Sequence, residues 1–431
     1  MLLYNIIQSC KILALCIYSY CVHIIFYNDC DAHYSFMIRK ITSINILFIK
    51  FMQWVSTENL SHEIQELIRT FADDVEYTID DLDYYGMDEL ITFIKHTNND
   101  DLIINQTPIN AGTIAIIYEG TMNGKNIILK QMRKNIQSEL DTSIELLEFI
   151  TQLCKYIPYI NNFRLHDIIR LNKQSIINQS DFKNEVLNMK QYKKNFEGFD
   201  DIIIPNCYEY ITNEFPIFII MERINGRKVQ ELHVDELPSY CITFNNILVE
   251  SLISRNIVHA DLHIGNIFFM EDNKIGVIDF GHILYINDEL SKKICKFYKF
   301  LFNRQTKKLA TFIVNEAIEY NQANCSDEEY EILLSSRKQI VINTLAKSFE
   351  EDNILCGSSP INVYNLLDIN NMLHDINASM REDFMAVILS FGPFSSVVSI
   401  LKRNDSNNSL KDVFQSYIKK QIPLELTDYN N

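Results

Sequence analysis

Two short stretches hold the residue types best suited to chemistry. His259-Ala260-Asp261-Leu262-His263-Ile264-Gly265-Asn266 is followed by Val277-Ile278-Asp279-Phe280-Gly281. Phosphoryl transfer from ATP needs a carboxylate to orient an acceptor hydroxyl and oxygen ligands to hold Mg2+ against the phosphates, because catalysis there is mainly positioning and charge neutralisation. Asp261 is the candidate for orienting the acceptor or an attacking water, and Asn266 and Asp279 are the candidates for holding the metal. Either stretch alone occurs in ordinary turns. Together, in this order and with a hairpin-sized separation, they point to one site, since a hairpin returns both oxygen donors to one cation. His259 is expected to be a hydrogen-bonded structural residue packed under Asp279 rather than a proton carrier.

The D-x-x-x-x-N spacing of Asp261 and Asn266 matches the kinase catalytic loop. A site of that kind requires a cation on an upstream strand and an acid on a following helix, because the phosphates need a fixed positive charge and that charge needs orienting. Lys130 ends the apolar run Asn126-Ile127-Ile128-Leu129-Lys130, and Glu185 lies in Asn178-Gln179-Ser180-Asp181-Phe182-Lys183-Asn184-Glu185-Val186, where Phe182 and Val186 share a helix face. Met221-Glu222 closes the run Pro216–Met221, where main-chain groups are expected to contact adenine. Gly120-Thr121-Met122-Asn123-Gly124-Lys125-Asn126 approximates a phosphate-binding loop, but it has three intervening residues where four are needed and ends in Asn. It reads as a hairpin turn.

The positioning elements follow from the pattern. Ser61 to His96 has apolar residues at helical spacing, and Ile114–Tyr118 and Ile127–Leu129 flank Asn123-Gly124 as a β-hairpin ending in Lys130. Residues 138–195 return to helical periodicity, and Pro216–Met221 reads as a buried strand. After Gly226 the chain reads as mainly helical, except for Ile267–Met270 and Lys274–Ile278, which pair across Glu271-Asp272-Asn273. Lys402–Ser409 reads as a surface loop. The expected divisions are 1–36, a hydrophobic segment; 37–100, a helical extension; 101–225, a small lobe with a β-sheet; and 226–431, a mainly helical large lobe. The expected class is α+β.

Composition bounds the rest. The 431 residues carry 39 Lys and Arg against 56 Asp and Glu, a net charge of −17, which repels phosphate backbones and excludes general nucleic-acid binding. With 47% hydrophobic and 22% charged residues the chain is globular, and its ten cysteines form no C-x-x-C pair, which fits a reduced intracellular compartment. Residues 12–27 carry no formal charge but fall short of the roughly 20 apolar residues that span a bilayer. They leave open a membrane anchor, a buried or docking helix, or a signal sequence.

HADLHIGN and VIDFG resemble HADPHPGN and LIDFG of the ABC1/UbiB/ADCK family of atypical, protein-kinase-like ATP-binding proteins, and NQSDFKNEVLN resembles that family's ELDF…EA.N segment. Lys50-Phe51-Met52-Gln53 followed by Ser56-Thr57 resembles its K-x-G-Q helix. The resemblance spans roughly residues 40 to 300. It implies a bilobal kinase-like fold, ATP and Mg2+ as cofactors, Lys130 on the α/β-phosphates and paired with Glu185, and Ala111, Gly112 and Thr113 over the phosphates. It also implies that Lys50 and Gln53 lie over the active site in space used by peptide substrates in ordinary kinases, and that Lys50, Gln53 and Asp181 regulate the site. Small-molecule or lipid-linked chemistry follows, associated in the family with ubiquinone and other isoprenoid lipids at membranes. The chain departs from the family at Met52, Gln179, Leu262 and Ile264, and its phosphate loop is reduced to Asn110-Ala111-Gly112-Thr113. Choline kinases and aminoglycoside phosphotransferases share an H-x-D-L-H-x-x-N loop, so a small-molecule kinase and a non-catalytic ATP-dependent scaffold stand as alternatives.

Overall fold

The computed structural model describes residues 2–25, 40–41, 43–48, 50–51, 75, 77–98, 100–156, 165–320, 326–351 and 363–402. The chain divides into two compact units: Met1–Leu187 with Asn206–Arg223, and Asn188–Pro205 with Ile224–Asn431. In chain order the first unit begins with α1 (Leu2–Ile25), α2 (Tyr84–Asn98), β1 (Leu102–Ile104), β2 (Asn110–Ala111), β3 (Ala115–Met122), β4 (Lys125–Met132), α3 (Ile136–Cys154) and α4 (Leu165–Gln179). Helix α5 (Phe182–Asn195) crosses the division, β5 (Ile202–Ile203) belongs to the second unit, and α6 (Glu209–Glu214) and β6 (Phe218–Glu222) complete the first.

The first unit is built on an antiparallel sheet in the order β1-β3-β4-β6, with β2 on β3. Asn123 and Gly124, at φ 51° and 74°, make the two-residue turn of the β3–β4 hairpin, a conformation that Asn-Gly adopts at little cost. Alternation along β4 puts Ile127, Leu129 and Gln131 on the buried face, where the Ile and Leu join Ile116, Tyr118 and the α2 residues Leu90 and Ile94. Lys130 consequently points to the opposite face. Gly120 lets β1 approach, because a Cβ there would lie 2.3 Å from the Ile103 carbonyl oxygen.

Helix α1 packs against α3, and over residues 3–13 its polarity is inverted. Leu3, Ile6, Ile7 and Leu13 are exposed along it, whereas Asn5 Oδ1, Gln8 Oε1 and Ser9 Oγ are buried without a hydrogen-bond partner among the described residues. Residues 12–25 lie in this helix. Among the described residues no helix is long and apolar enough to cross a membrane.

The second unit continues with α7 (Leu237–Val249), β7 (Ile257–His259), β8 (Ile267–Phe269), β9 (Ile275–Val277), β10 (Ile283–Tyr285), α8 (Asp288–Phe302), α9 (Thr306–Glu316), β11 (Ile318–Tyr320), α10 (Asp327–Glu351), α11 (Val363–Leu373), β12 (Ala378–Met380) and α12 (Glu382–Lys402). β8 and β9 pair antiparallel across a tight turn in which Asp272 and Asn273 have φ of 59° and 58°, and β5 lies parallel to β9. β7 pairs with β10, and β11 with β12. Phe297, Phe384 and Phe391 are fully buried within the helical layer, and Phe244 of α7 stacks on Phe394 of α12 at 4.2 Å.

Several sequence expectations change in detail. The hairpin runs two residues past Lys130, because Gln131 and Met132 still pair with Ile116 and Ala115. The helical stretch 138–195 is broken at Ser180-Asp181, where Asp181 starts a new helix. Beyond Gly226 the structure adds β7, β10, β11 and β12 to the two expected strands. Each has three residues, too short for a period-2 signal to emerge from the sequence. Residues 61–74, Gln53 and 403–409 lie outside the described residues.

Gln131 is fully buried, and neither amide atom has a hydrogen-bond partner among the described residues. Leaving a buried polar group unsatisfied costs about 1–3 kcal/mol. Gln131→Met keeps the length of the side chain and removes the unmet polarity, so it should raise unfolding stability by about 1 kcal/mol in denaturant titration.

Candidate functional site

In the first unit the position of Lys130 follows from the sheet register, which sets it opposite Ile117 on one side and Ile219 on the other. Its Nζ lies 2.7 and 2.8 Å from the two carboxylate oxygens of Glu185 and 5.3 Å from the centre of the Phe182 ring. The Glu185 side chain is 0% exposed and that of Lys130 12%. The ammonium meets both oxygens of this carboxylate, which offsets the cost of burying its charge. Asp181 supplies the N-cap of the helix that carries Glu185, its Oδ1 accepting from the Asn184 N–H at 3.1 Å. The Lys50 ammonium donates to the Gln179 side-chain carbonyl at the end of α4.

The loop after β2 is held from three sides. Val75 N–H donates to the Ala111 carbonyl at 2.7 Å, Gly112 N–H donates to the Ala115 carbonyl at 2.8 Å, and Arg133 Nε donates to the Gly112 carbonyl at 2.9 Å. Arg133 is buried and also meets Asp81 at 3.2 Å. A Cβ at residue 112 would have only the Ala115 oxygen, at 3.6 Å, nearby, so the fold itself does not demand glycine there. At the end of β6 the Glu222 N–H donates to the Asn206 carbonyl at 2.8 Å and its carboxylate accepts from Asn206 N and Nδ2. Met221 is buried in register with Ile128.

In the second unit His259 joins the two acidic segments. Its Nδ1 accepts from the Asp261 N–H at 3.2 Å, so Nε2 carries the proton and donates to the Asp279 carbonyl at 2.5 Å. Burial drives the imidazole pKa below its ordinary value, against the opposing effects of the Asp279 carbonyl and the Asp279 and Asp261 carboxylates. Asn266 Nδ2 donates to the Asp261 carbonyl at 3.1 Å, which turns the amide oxygen, the atom able to ligate a cation, away from that bond. Asp279 Oδ1 accepts from Gly281 N–H at 3.0 Å. The Phe280 carbonyl accepts from Asn188 Nδ2 at 3.0 Å, and Asn188 Oδ1 accepts from the Tyr285 hydroxyl at 2.9 Å.

The structure thus joins Lys130 with Glu185 in one unit, and in the other Asp261 with Asp279 through His259 and Asn266 with Asp261 through its amide. An amide and a carboxylate oxygen are hard donors of the kind Mg2+ takes, and they fit that ion. Sequence reasoning missed Arg133, which ties down the 111–113 loop, and Asn188, which pins Phe280. Asn188 carried a signal, as the final Asn of NQSDFKNEVLN, whereas Arg133 is visible only through the carbonyls it meets.

Comparison with known proteins places these features. The model of the ABC1 atypical kinase-like domain matches residues 101–313. A protein named probable protein kinase UbiB from Aeromonas salmonicida (strain A449) is 25% identical over 281 residues, covering 61% of this chain and 50% of the relative. One of the same name from Shewanella baltica (strain OS185) is 25% identical over 228 residues, covering 49% of this chain and 40% of the relative. The chain spans half or less of these relatives. The solved structure of an Rv3197–erythromycin complex from Mycobacterium tuberculosis covers 74% of this chain and 77% of its own at 14% identity, with a TM-score of 0.41.

The neutral His259 sets a pH dependence. The unfolded chain takes up a proton near the ordinary value of 6.5 while the folded one resists it, so stability from this group is present above that value and lost as pH falls below it. Thermal unfolding between about pH 7 and 5 should fall more steeply for the wild type than for His259→Asn, which has no titrating ring.

Proposed function

Because residues 101–313 belong to the ABC1 atypical kinase-like family and the chain has a bilobal α+β kinase-like fold, we propose that this protein is an ATP-binding atypical kinase or ATPase. The observation that carries the reading is the Lys130–Glu185 pair, in which a buried carboxylate orients one ammonium at both oxygens. In this reading Lys130 contacts the α/β-phosphates, and Ala111, Gly112 and Thr113 cover the phosphates. The small loop suits this role, since residue 112 has room for close approach of a ligand to the backbone. Adenine is read by carbonyl groups near Met221 and Glu222, because the Glu222 N–H is already engaged with Asn206.

Asn266 and Asp279 hold Mg2+, whose charge neutralises the phosphates. Asp261 orients the acceptor hydroxyl or a water, and His259 keeps the backbones of Asp261 and Asp279 in fixed relation without exchanging a proton. Lys50, Gln53 and Asp181 regulate the site: the Lys50 contact to Gln179 ties the segment before residue 52 to the turn that Asp181 caps. The inverted polarity of α1, apolar outward and polar inward, supports contact with a membrane or isoprenoid lipid. We link the chemistry to ubiquinone or other isoprenoid-lipid metabolism on that ground and on the resemblance of its motifs.

At 100 times its dissociation constant, Mg·ATP should stabilise the wild type by about 2.7 kcal/mol in thermal shift, and Asp279→Asn should abolish this. Lys130→Ala alone takes the ammonium from a buried carboxylate at a cost of about 3–5 kcal/mol, so the folded comparison is the double variant Lys130→Met with Glu185→Gln, which should also lose the shift. Asp261→Asn should retain binding and lose turnover. No shift in the folded wild type overturns the reading. The full chain should co-sediment with phosphatidylcholine vesicles, and Ile6→Asp with Leu13→Asp should release it.

A further inference from the structure

The segment that follows β6 is fastened to the loop that carries the candidate metal ligand. Gly226 lies so near β8 that a Cβ on it would sit 2.8 Å from Phe268 Cβ. Arg227 and Phe269 exchange two main-chain hydrogen bonds, at 2.8 and 2.9 Å. This bridge aims the next side chain, Lys228, along the face of β8. Its ammonium donates to the Gly265 carbonyl at 2.8 Å and sits 3.8 Å from the centre of the Phe268 ring.

Gly265 is held at its other end as well, its N–H donating to His263 Nδ1 at 3.1 Å. The following Asn266 N–H donates to the His263 carbonyl at 3.0 Å, and the Asn266 carbonyl accepts from Ile278 N–H at 3.2 Å. Rotation of the Gly265–Asn266 peptide would reorient the Asn266 side chain, and Lys228 is the charged group that holds the carbonyl of that peptide. An ammonium with both a carbonyl and an aromatic face is more than a solvated surface lysine, because ordering its four-carbon stem costs rotamer freedom that these contacts must offset.

We infer that Lys228 is a positioning residue that locks the Gly265–Asn266 peptide and so presets Asn266 for its cation. The metal part of this inference rests on the proposed nucleotide reading; the lock itself does not. Both are testable on the full chain, using wild type, Lys228→Met, Lys228→Arg and Phe268→Leu.

Hydrogen exchange of peptides covering 261–268, without nucleotide or metal, reads the lock. A lost charge-assisted hydrogen bond corresponds to about tenfold faster exchange in Lys228→Met. The half-saturating Mg2+ concentration for stabilisation by ATP should rise about tenfold in the same variant, with metal-free ATP affinity within about twofold of wild type. Lys228→Arg, which keeps a cationic donor and a stacking surface, should stay near wild type in both measurements. Should Lys228→Met fail to fold, Phe268→Leu decides, with about threefold faster exchange expected from loss of the aromatic face. Unchanged exchange in the folded variants overturns the lock, and faster exchange with an unchanged Mg2+ requirement overturns the role toward Asn266. A wild type that shows no Mg2+-dependent stabilisation overturns the nucleotide reading together with the metal part, a failure visible in the wild type rather than in the variants.

Discussion

A carboxylate with no exposure to solvent is the constraint on which the first unit depends. Lys130 meets both oxygens of Glu185 and offsets the cost of its burial, so the register of β4 and the start of α5 must be correct together. The Asn123-Gly124 turn secures the first of these requirements and the Asp181 cap the second. Two local signals, separated by more than a helix, therefore converge on one ion pair. The same alternation that sends Lys130 to one face of the sheet sends Gln131 into the core, where its amide has no hydrogen-bond partner among the described residues.

The second unit uses a different device, a neutral ring serving as a spacer between backbones. His259 accepts from one acidic segment and donates to the other, and its burial keeps it uncharged while it does so. Asn188 and Tyr285 fix Phe280 beside it, so Asp279 is framed on both flanks. Lys228 extends this framing to Gly265, immediately before Asn266. The side chains proposed for chemistry are thus supported mainly through main-chain carbonyls and amides. This is the arrangement expected where positioning matters more than proton transfer.

Helix α1 obeys a different logic. Its exposed leucine and isoleucine residues and buried amide and hydroxyl oxygens reverse the usual partition of a surface helix in water. An apolar neighbour on the outer side would take the exposed leucine and isoleucine side chains out of water, which is why the lipid part of the proposal rests on this helix rather than on its length.

The chemical groups were legible in the sequence because their spacing is local: D-x-x-x-x-N, the Asn-Gly and Glu-Asp-Asn turns, and the apolar runs on either side each concern residues a few positions apart. Lys130 and Glu185 were likewise legible from the end of an apolar run and from a helical pattern. That pairing was implied by the family resemblance, whereas the tautomer of His259 and the grip of Arg133 on Gly112 and of Lys228 on Gly265 were decided only by tertiary structure. The Arg133 and Lys228 contacts join side chains to main-chain oxygens 21 and 37 residues away. A carbonyl oxygen is present at every residue, so the sequence alone does not distinguish which of them a lysine or arginine will meet. The three-residue strands escaped for a related reason. Their stability comes from the neighbour they pair with and not from their own composition.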